Sequence, residues 1–153
     1  MLEACRRRGW TLAAAESCTG GLVLGALTQI AGSSDVVLGG VVSYANAVKQ
    51  GLLGVPEAVL RSDGAVSEAT ARAMAEGALR AMAADLAVSI TGVAGPGGGT
   101  AEKPVGLVWF ATARRGGETQ AHELRYGDLG RQGVRLAAVR TALELLLGRA
   151  DDD

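Results

Sequence analysis

Helix-type and strand-type patterns alternate along this chain from end to end, and that alternation leaves few folds open to it. Thr11–Ala15, Val36–Tyr44 and Leu86–Ile90 are short apolar runs of strand length, and the second reads as a buried strand with Gly39-Gly40 marking a bulge or a close contact. Residues 1–8 read as a helix stopped by Gly9, and a small-residue helix runs from Thr19 to near Gly32. Asn46–Leu53 is a short helix, and Val55-Pro56 opens a connector. Ser67 is a natural N-cap with Glu68 in the first turn, and Val66, Thr70, Ala73, Met74, Ala78 and Met82 then recur on one face. Val105–Ala113 and Thr119–Tyr126 flank Arg-Arg-Gly-Gly as an antiparallel hairpin. The last helix, Arg131–Leu147, offers Val134, Ala137, Ala138 and Leu145, with a second row of Leu136, Val139, Leu143 and Leu146, for burial. The expectation is an α/β fold: one three-layer domain over residues 1–150 with a mixed sheet of about five strands. Residues 151–153, Asp-Asp-Asp, read as a disordered tail.

Composition narrows the function classes. Aromatics are only 3% of the 153 residues, so the core is built from Ala, Val and Leu, and its layers must approach closely. A net charge of −1 and only short basic runs, Arg6-Arg7-Arg8 and Arg114-Arg115, argue against a nucleic-acid binder. The N-terminus has no signal-peptide pattern and no apolar run approaches a membrane span, so the expected location is cytoplasmic, with no membrane partner. Two cysteines and one histidine provide neither a disulfide framework nor a zinc-ligand set.

In an open α/β sheet, ligands bind at the carboxyl ends of strands. Three polar segments fall there: Glu16–Gly21, Ser43–Lys49 and Thr91–Lys103. In the first, AESCTGG, Thr19 suits an N-cap, worth about 1 kcal/mol. Ser17 suits a nucleophile, with the N–H groups around Thr19–Gly21 stabilising an oxyanion or an anionic substrate group. The spacing is not that of a nucleophile elbow. Cys18 is the alternative nucleophile, but it wants a histidine, and His122 sits mid-strand in the hairpin as a surface residue. A single histidine likewise argues against a Ser-His-Asp triad, which leaves lysine as the base. The only two lysines, Lys49 and Lys103, both fall in these segments. Tyr44 either points with Lys49 toward Ser17 or is a strand-end aromatic with a solvated hydroxyl. The stretch GVAGPGGGT supplies successive N–H groups suited to a phosphate or carboxylate, yet no Gly-Lys-Ser/Thr follows as in a P-loop.

Together, AESCTGG, GGVVSYANAVKQGLLGV, GAVSEATARAMAEGAL and SITGVAGPGGGTAEKPVGLVWFA resemble the CinA C-terminal domain family, in order, over roughly Ala4 to Leu147. The resemblance implies a three-layer α/β/α sandwich and nicotinamide-nucleotide amidase activity, converting nicotinamide mononucleotide to nicotinate mononucleotide and ammonia. It implies Ser17 as nucleophile and Lys49 as general base, with Tyr44 assisting. Thr19, Gly20, Gly21 and Asn46 would help form the site, and Thr91, Gly92, Gly95 and Gly97 of the Thr91–Thr100 loop would hold the nucleotide. Neither metal nor cofactor is implied, and the expected partner is a small-molecule nucleotide. A small-residue helix surface is compatible with a homo-oligomer, a dimer being favoured. Larger family members carry an additional N-terminal domain, for which 153 residues leave no room, so the chain reads as the stand-alone form. The family's Gly-Asp-Arg-x-x-Val-Arg run is here GDLGRQGVR, which leaves Arg131 as either a phosphate ligand or a surface charge at a helix start. A rival reading is a nucleotide-binding regulatory module without turnover; a third gives the glycines a purely structural role.

Overall fold

The computed structural model describes residues 1–152. In β1 (Leu12–Glu16) side chains alternate between two faces, and both are buried. Leu12 and Ala14 join one core with Val23, Val88, Phe110, Val134 and Ala138, while Ala13 and Ala15 join a second with Val41, Leu53, Met74 and Ala78. A strand buried on both sides needs a helical layer on each. The first core is covered by α1 (Leu2–Arg8), α2 (Leu22–Thr28) and α6 (Gly130–Asp151), and the second by α3 (Asn46–Leu53), α4 (Glu57–Ser62) and α5 (Glu68–Ala81).

The remaining strands are β2 (Val37–Val42), β3 (Leu86–Gly92), β4 (Leu107–Arg114) and β5 (Gln120–Arg125), in the order β2-β1-β3-β4-β5. β1 runs parallel to β2 and β3, while β4 lies antiparallel to β3 and β5, so the sheet is mixed and five-stranded as expected. The chain leaves β1 toward β2 through α2 on one face and returns from β2 to β3 through α5 on the other. The carboxyl end of β1 is therefore the switch point, where an α/β sheet opens a crevice. No helix among the described residues is long and apolar enough to cross a membrane.

Several local expectations change. β2 is not a buried strand: strand order puts it at the sheet edge, leaving Leu38 and Val42 48% and 45% exposed. α2 begins at Leu22 rather than Thr19, because the chain first makes a turn over Cys18–Gly21. The connector after Pro56 contains α4, whose six residues bury no side chain and so give no amphipathic signal. In α6, Val134, Ala138, Ala142 and Leu146 form the buried row, and Leu136 faces outward. That helix continues to Asp151, one residue into the segment read as tail; Asp153 lies outside the described residues. Ser67 does cap α5, its hydroxyl accepting the Thr70 N–H at 3.1 Å.

The small-residue core brings backbones into contact. The β1–β2 register slips at Leu38, a bulge, and a Cβ on Gly40 would lie 2.1 Å from the Ala14 carbonyl oxygen. On the other face, a Cβ on Gly77 of α5 would lie 2.1 Å from the Leu53 carbonyl oxygen at the end of α3. Gly77 is thus what lets α5 seat against the helix that carries Lys49. Replacing glycine by alanine inside an exposed helix stabilises by up to about 1 kcal/mol, whereas overpacking costs about 1–3 kcal/mol. Gly77→Ala is expected to destabilise the fold by about 2 kcal/mol. Gly148→Ala in α6, where a Cβ meets nothing within 4 Å, is expected to stabilise it slightly. Urea unfolding of both variants checks the opposite signs.

Candidate active site

The alternation that sends Leu12 and Ala14 toward α2 sends the Glu16 side chain there too. It is wholly buried. Its Oε2 accepts the N–H groups of Gly21 and Val23 at 3.0 and 3.1 Å, and its Oε1 accepts that of Leu24 at 2.9 Å. These are the donors that the first turn of α2 leaves unpaired, so the carboxylate caps the helix and offsets its positive end.

Ser17 emerges on the opposite side. Its N–H donates to the Ile90 carbonyl at 2.9 Å, tying the turn to β3, and Lys49 Nζ from α3 lies 3.1 Å from its Oγ. Lys49 is only 1% exposed, and Nζ also donates to the carbonyls of Ser43 at 2.6 Å and Tyr44 at 3.4 Å. A neutral amine has two N–H groups and one lone pair. With the carbonyls taking both N–H groups, the lone pair is left for the Ser17 hydroxyl. Burial lowers the Lys49 pKa, opposed only by the charge of an ionised Cys18. Burial also pushes the Cys18 thiol up to about 11, so it is protonated at neutral pH and the opposition is absent there. Burial thus shifts Lys49 toward its neutral form, and a neutral lysine beside a serine hydroxyl is the pairing that general-base activation of a nucleophile requires.

The turn after Ser17 is held from behind by α6. Gly20 N–H closes it onto the Ser17 carbonyl at 3.1 Å. Arg135 Nε donates to the Cys18 carbonyl at 3.0 Å and Nη2 to the Thr19 carbonyl at 3.2 Å. In front, Ser17, Cys18, Lys49 and Tyr44 border a cavity of ≈ 310 Å³, whose far wall is the loop through Gly92, Gly95, Gly97 and Gly98. Val93 is pinned to β4 through Leu107, and Lys103 Nζ donates to the Asp63 carbonyl, holding the loop to the α4–α5 connection. At the mouth, Arg131 Nη1 donates to the Gly95 carbonyl at 2.9 Å and Nη2 to the Tyr44 hydroxyl at 3.1 Å.

Of the residues singled out from sequence, Ser17, Lys49, Tyr44, Thr91, Gly92, Gly95, Gly97 and Arg131 border this one cavity. Tyr44 enters differently than expected. Its side chain is 63% exposed with the hydroxyl on Arg131, and its backbone carbonyl is what meets Lys49. Thr91 spends its hydroxyl on the Ala65 carbonyl at 2.7 Å. Asn46 is exposed at the first turn of α3 and does not border the cavity, because Lys49, one turn on, takes the inward position. Thr19, Gly20 and Gly21 form the turn behind Ser17 rather than the cavity wall. Thr19 is not the cap: its hydroxyl is buried without a partner, and the Gly20 and Gly21 N–H groups are already engaged. Sequence reasoning gave no role to Glu16 or Arg135. The sign of Glu16 was a carboxylate on the inward parity of an apolar strand just ahead of a helix. Arg135 was visible only as part of a motif spacing.

The family model of the CinA C-terminal domain matches residues 1–149. A CinA-like protein of Synechococcus sp. strain RCC307 is 57% identical over 147 residues, which cover 95% of this chain and 35% of that protein. One from Gloeobacter violaceus is 53% identical over 141 residues, covering 92% and 33%. The chain thus spans about a third of the length of these curated relatives. The crystal structure of the competence/damage inducible protein CihA from Agrobacterium tumefaciens has a TM-score of 0.91 at 55% identity, covering 96% of this chain and 93% of that one. A CinA superfamily protein from Escherichia coli gives 0.90 at 34% identity, covering 95% and 83%.

The lowered Lys49 pKa has a signature in stability. Between its folded value and the 10.5 of an ordinary lysine, the unfolded chain binds a proton that the folded one does not, so stability rises with pH across that window. Below the folded value a constant penalty for the buried ammonium remains. Lys49→Met lacks the group, so wild-type stability minus variant stability should climb through the window and flatten at both ends. Urea unfolding at stepped pH checks this; a pH-independent difference would mean that Lys49 titrates as an exposed lysine.

Proposed function

Because the chain belongs to the CinA C-terminal domain family, we propose that it is an amidohydrolase that converts nicotinamide mononucleotide to nicotinate mononucleotide and ammonia. The observation that carries this reading is the buried 3.1 Å contact between Lys49 Nζ and Ser17 Oγ at the floor of a glycine-walled cavity.

Lys49, neutral, accepts the Ser17 proton as Oγ attacks the carboxamide carbon. The resulting ammonium passes the proton to the departing nitrogen, the C–N bond breaks, and ammonia leaves an acyl-serine ester. Water, deprotonated by the same amine, then releases the acid. The nucleotide phosphate must bind without raising the Lys49 pKa, so its donors are best kept away from that amine. Backbone N–H groups of the Gly95–Gly98 stretch and the Arg131 guanidinium at the mouth suit that task. Arg131 is then a ligand residue, and Tyr44 orients it.

Ser17→Ala should abolish ammonia release while retaining nucleotide binding, and Lys49→Met should lower kcat by about 10²–10⁴-fold. In the wild type kcat/KM should rise with pH as Lys49 deprotonates, and that limb should vanish in Lys49→Met. Coupled ammonia detection with nicotinamide mononucleotide, and calorimetry on the same ligand, make the measurement. Tight binding with no ammonia from the wild type would instead identify a nucleotide-binding regulatory module.

A further inference from the structure

Acyl transfer from a serine needs donors for the oxygen that becomes negative, worth about 10²–10³ in kcat for one such donor. The helix end nearest Ser17 is unavailable, since Glu16 already takes the N–H groups of Gly21, Val23 and Leu24. The turn itself supplies an alternative. In a four-residue turn closed between its first and last members, here Ser17 and Gly20, the two central N–H groups are left over. These belong to Cys18 and Thr19. The Cys18 N–H reaches only its own thiol, a weak acceptor, and the Thr19 N–H has no acceptor among the described residues.

Their direction follows from peptide planarity. In a trans peptide the C=O and the N–H point opposite ways. Arg135 holds the Cys18 carbonyl toward α6, so the Thr19 N–H of the same peptide unit points away from α6. Arg135 borders a groove on the α2–α6 side with Leu22 and Leu136, whereas Ser17 and Cys18 border the cavity. We infer that the Cys18 N–H, on the residue of this turn that borders the cavity, with the Thr19 N–H behind it, is the oxyanion site for Ser17, and that Arg135 is the positioning residue that holds the turn in place. This rests on the amidase reading. As the Ser17 Oγ–carbon bond forms, the carbonyl π pair moves onto oxygen, the hydroxyl proton goes to Lys49, and the new charge meets these N–H groups. On collapse the pair returns, the C–N bond breaks, and ammonia leaves with the Lys49 proton. The Arg135 charge, bonded to the carbonyl side of the Cys18–Thr19 peptide, also makes its N–H a stronger donor.

Arg135→Met tests this, with Arg135→Lys as a second variant that keeps the charge but not the two-pronged grip. Three ligands are read against each: nicotinamide mononucleotide as substrate, its analogue with an aldehyde in place of the carboxamide, and nicotinate mononucleotide as product. The aldehyde adds Ser17 to give a tetrahedral oxyanion mimic. In Arg135→Met, kcat and aldehyde affinity should each fall by about 10²-fold while KM and product affinity move by less than about threefold, and added guanidinium ion should restore part of both. Arg135→Lys should fall between, and its aldehyde-to-product affinity ratio carries the test if the methionine variant does not fold. A kcat within about threefold of wild type, or aldehyde and product affinities falling together, would overturn the assignment. A wild type that neither releases ammonia nor binds the aldehyde would overturn the amidase reading and this inference with it.

Discussion

A buried carboxylate with three backbone N–H partners is the interaction on which the rest of this molecule depends. Glu16 sits at 0% exposure, where an unpaired charge would cost several kcal/mol. The open first turn of α2 offsets that cost, since its N–H groups need acceptors as much as the carboxylate needs donors. The pairing fixes where α2 starts and which way the chain leaves β1, and so where Ser17 emerges. It also removes the helix end as an anion site.

The site keeps its charges apart by using both faces of the sheet. Glu16 and Lys49 are close in the fold but lie on opposite sides of β1, and the groups that hydrogen-bond Lys49 Nζ are the Ser17 hydroxyl and two neutral carbonyls. A carboxylate beside that amine would hold it protonated; with neutral carbonyls in its place, burial lowers the Lys49 pKa. The two arginines stand in front and behind. Arg131 closes the mouth through Tyr44 and Gly95, and Arg135 grips the turn from α6.

Much of this was legible in the order of residues. The apolar strand at Thr11–Ala15, the mixed sheet of about five strands and the hairpin follow from period and turn chemistry, and the rarity of lysine draws attention to Lys49. What escaped depended on information that no local pattern holds. That β2 is an edge strand follows from strand order, and Val36–Tyr44 reads the same whether flanked or bare. The start of α2 was misread because Thr19 is a good capping residue by type, while the actual cap comes from Glu16, upstream of the turn. Asn46 and Lys49 lie three apart on α3, and only the tertiary position of that helix decides which faces the cavity. Tyr44 draws attention for its hydroxyl, whereas its backbone carbonyl is what accepts from Lys49 Nζ.

A single residue inserted into or deleted from β1 would exchange its faces for everything downstream of the change. The carboxylate would then come out beside Lys49 and the hydroxyl would go beneath α2. The amine would gain an ion-pair partner that holds it protonated, while the helix would lose its cap. A two-residue change would shift the site along the strand but leave each group facing its own side. The working chemistry of this chain is thus tied to whether its first strand holds an odd or an even number of residues, a property that substitution cannot alter and that one codon can reverse.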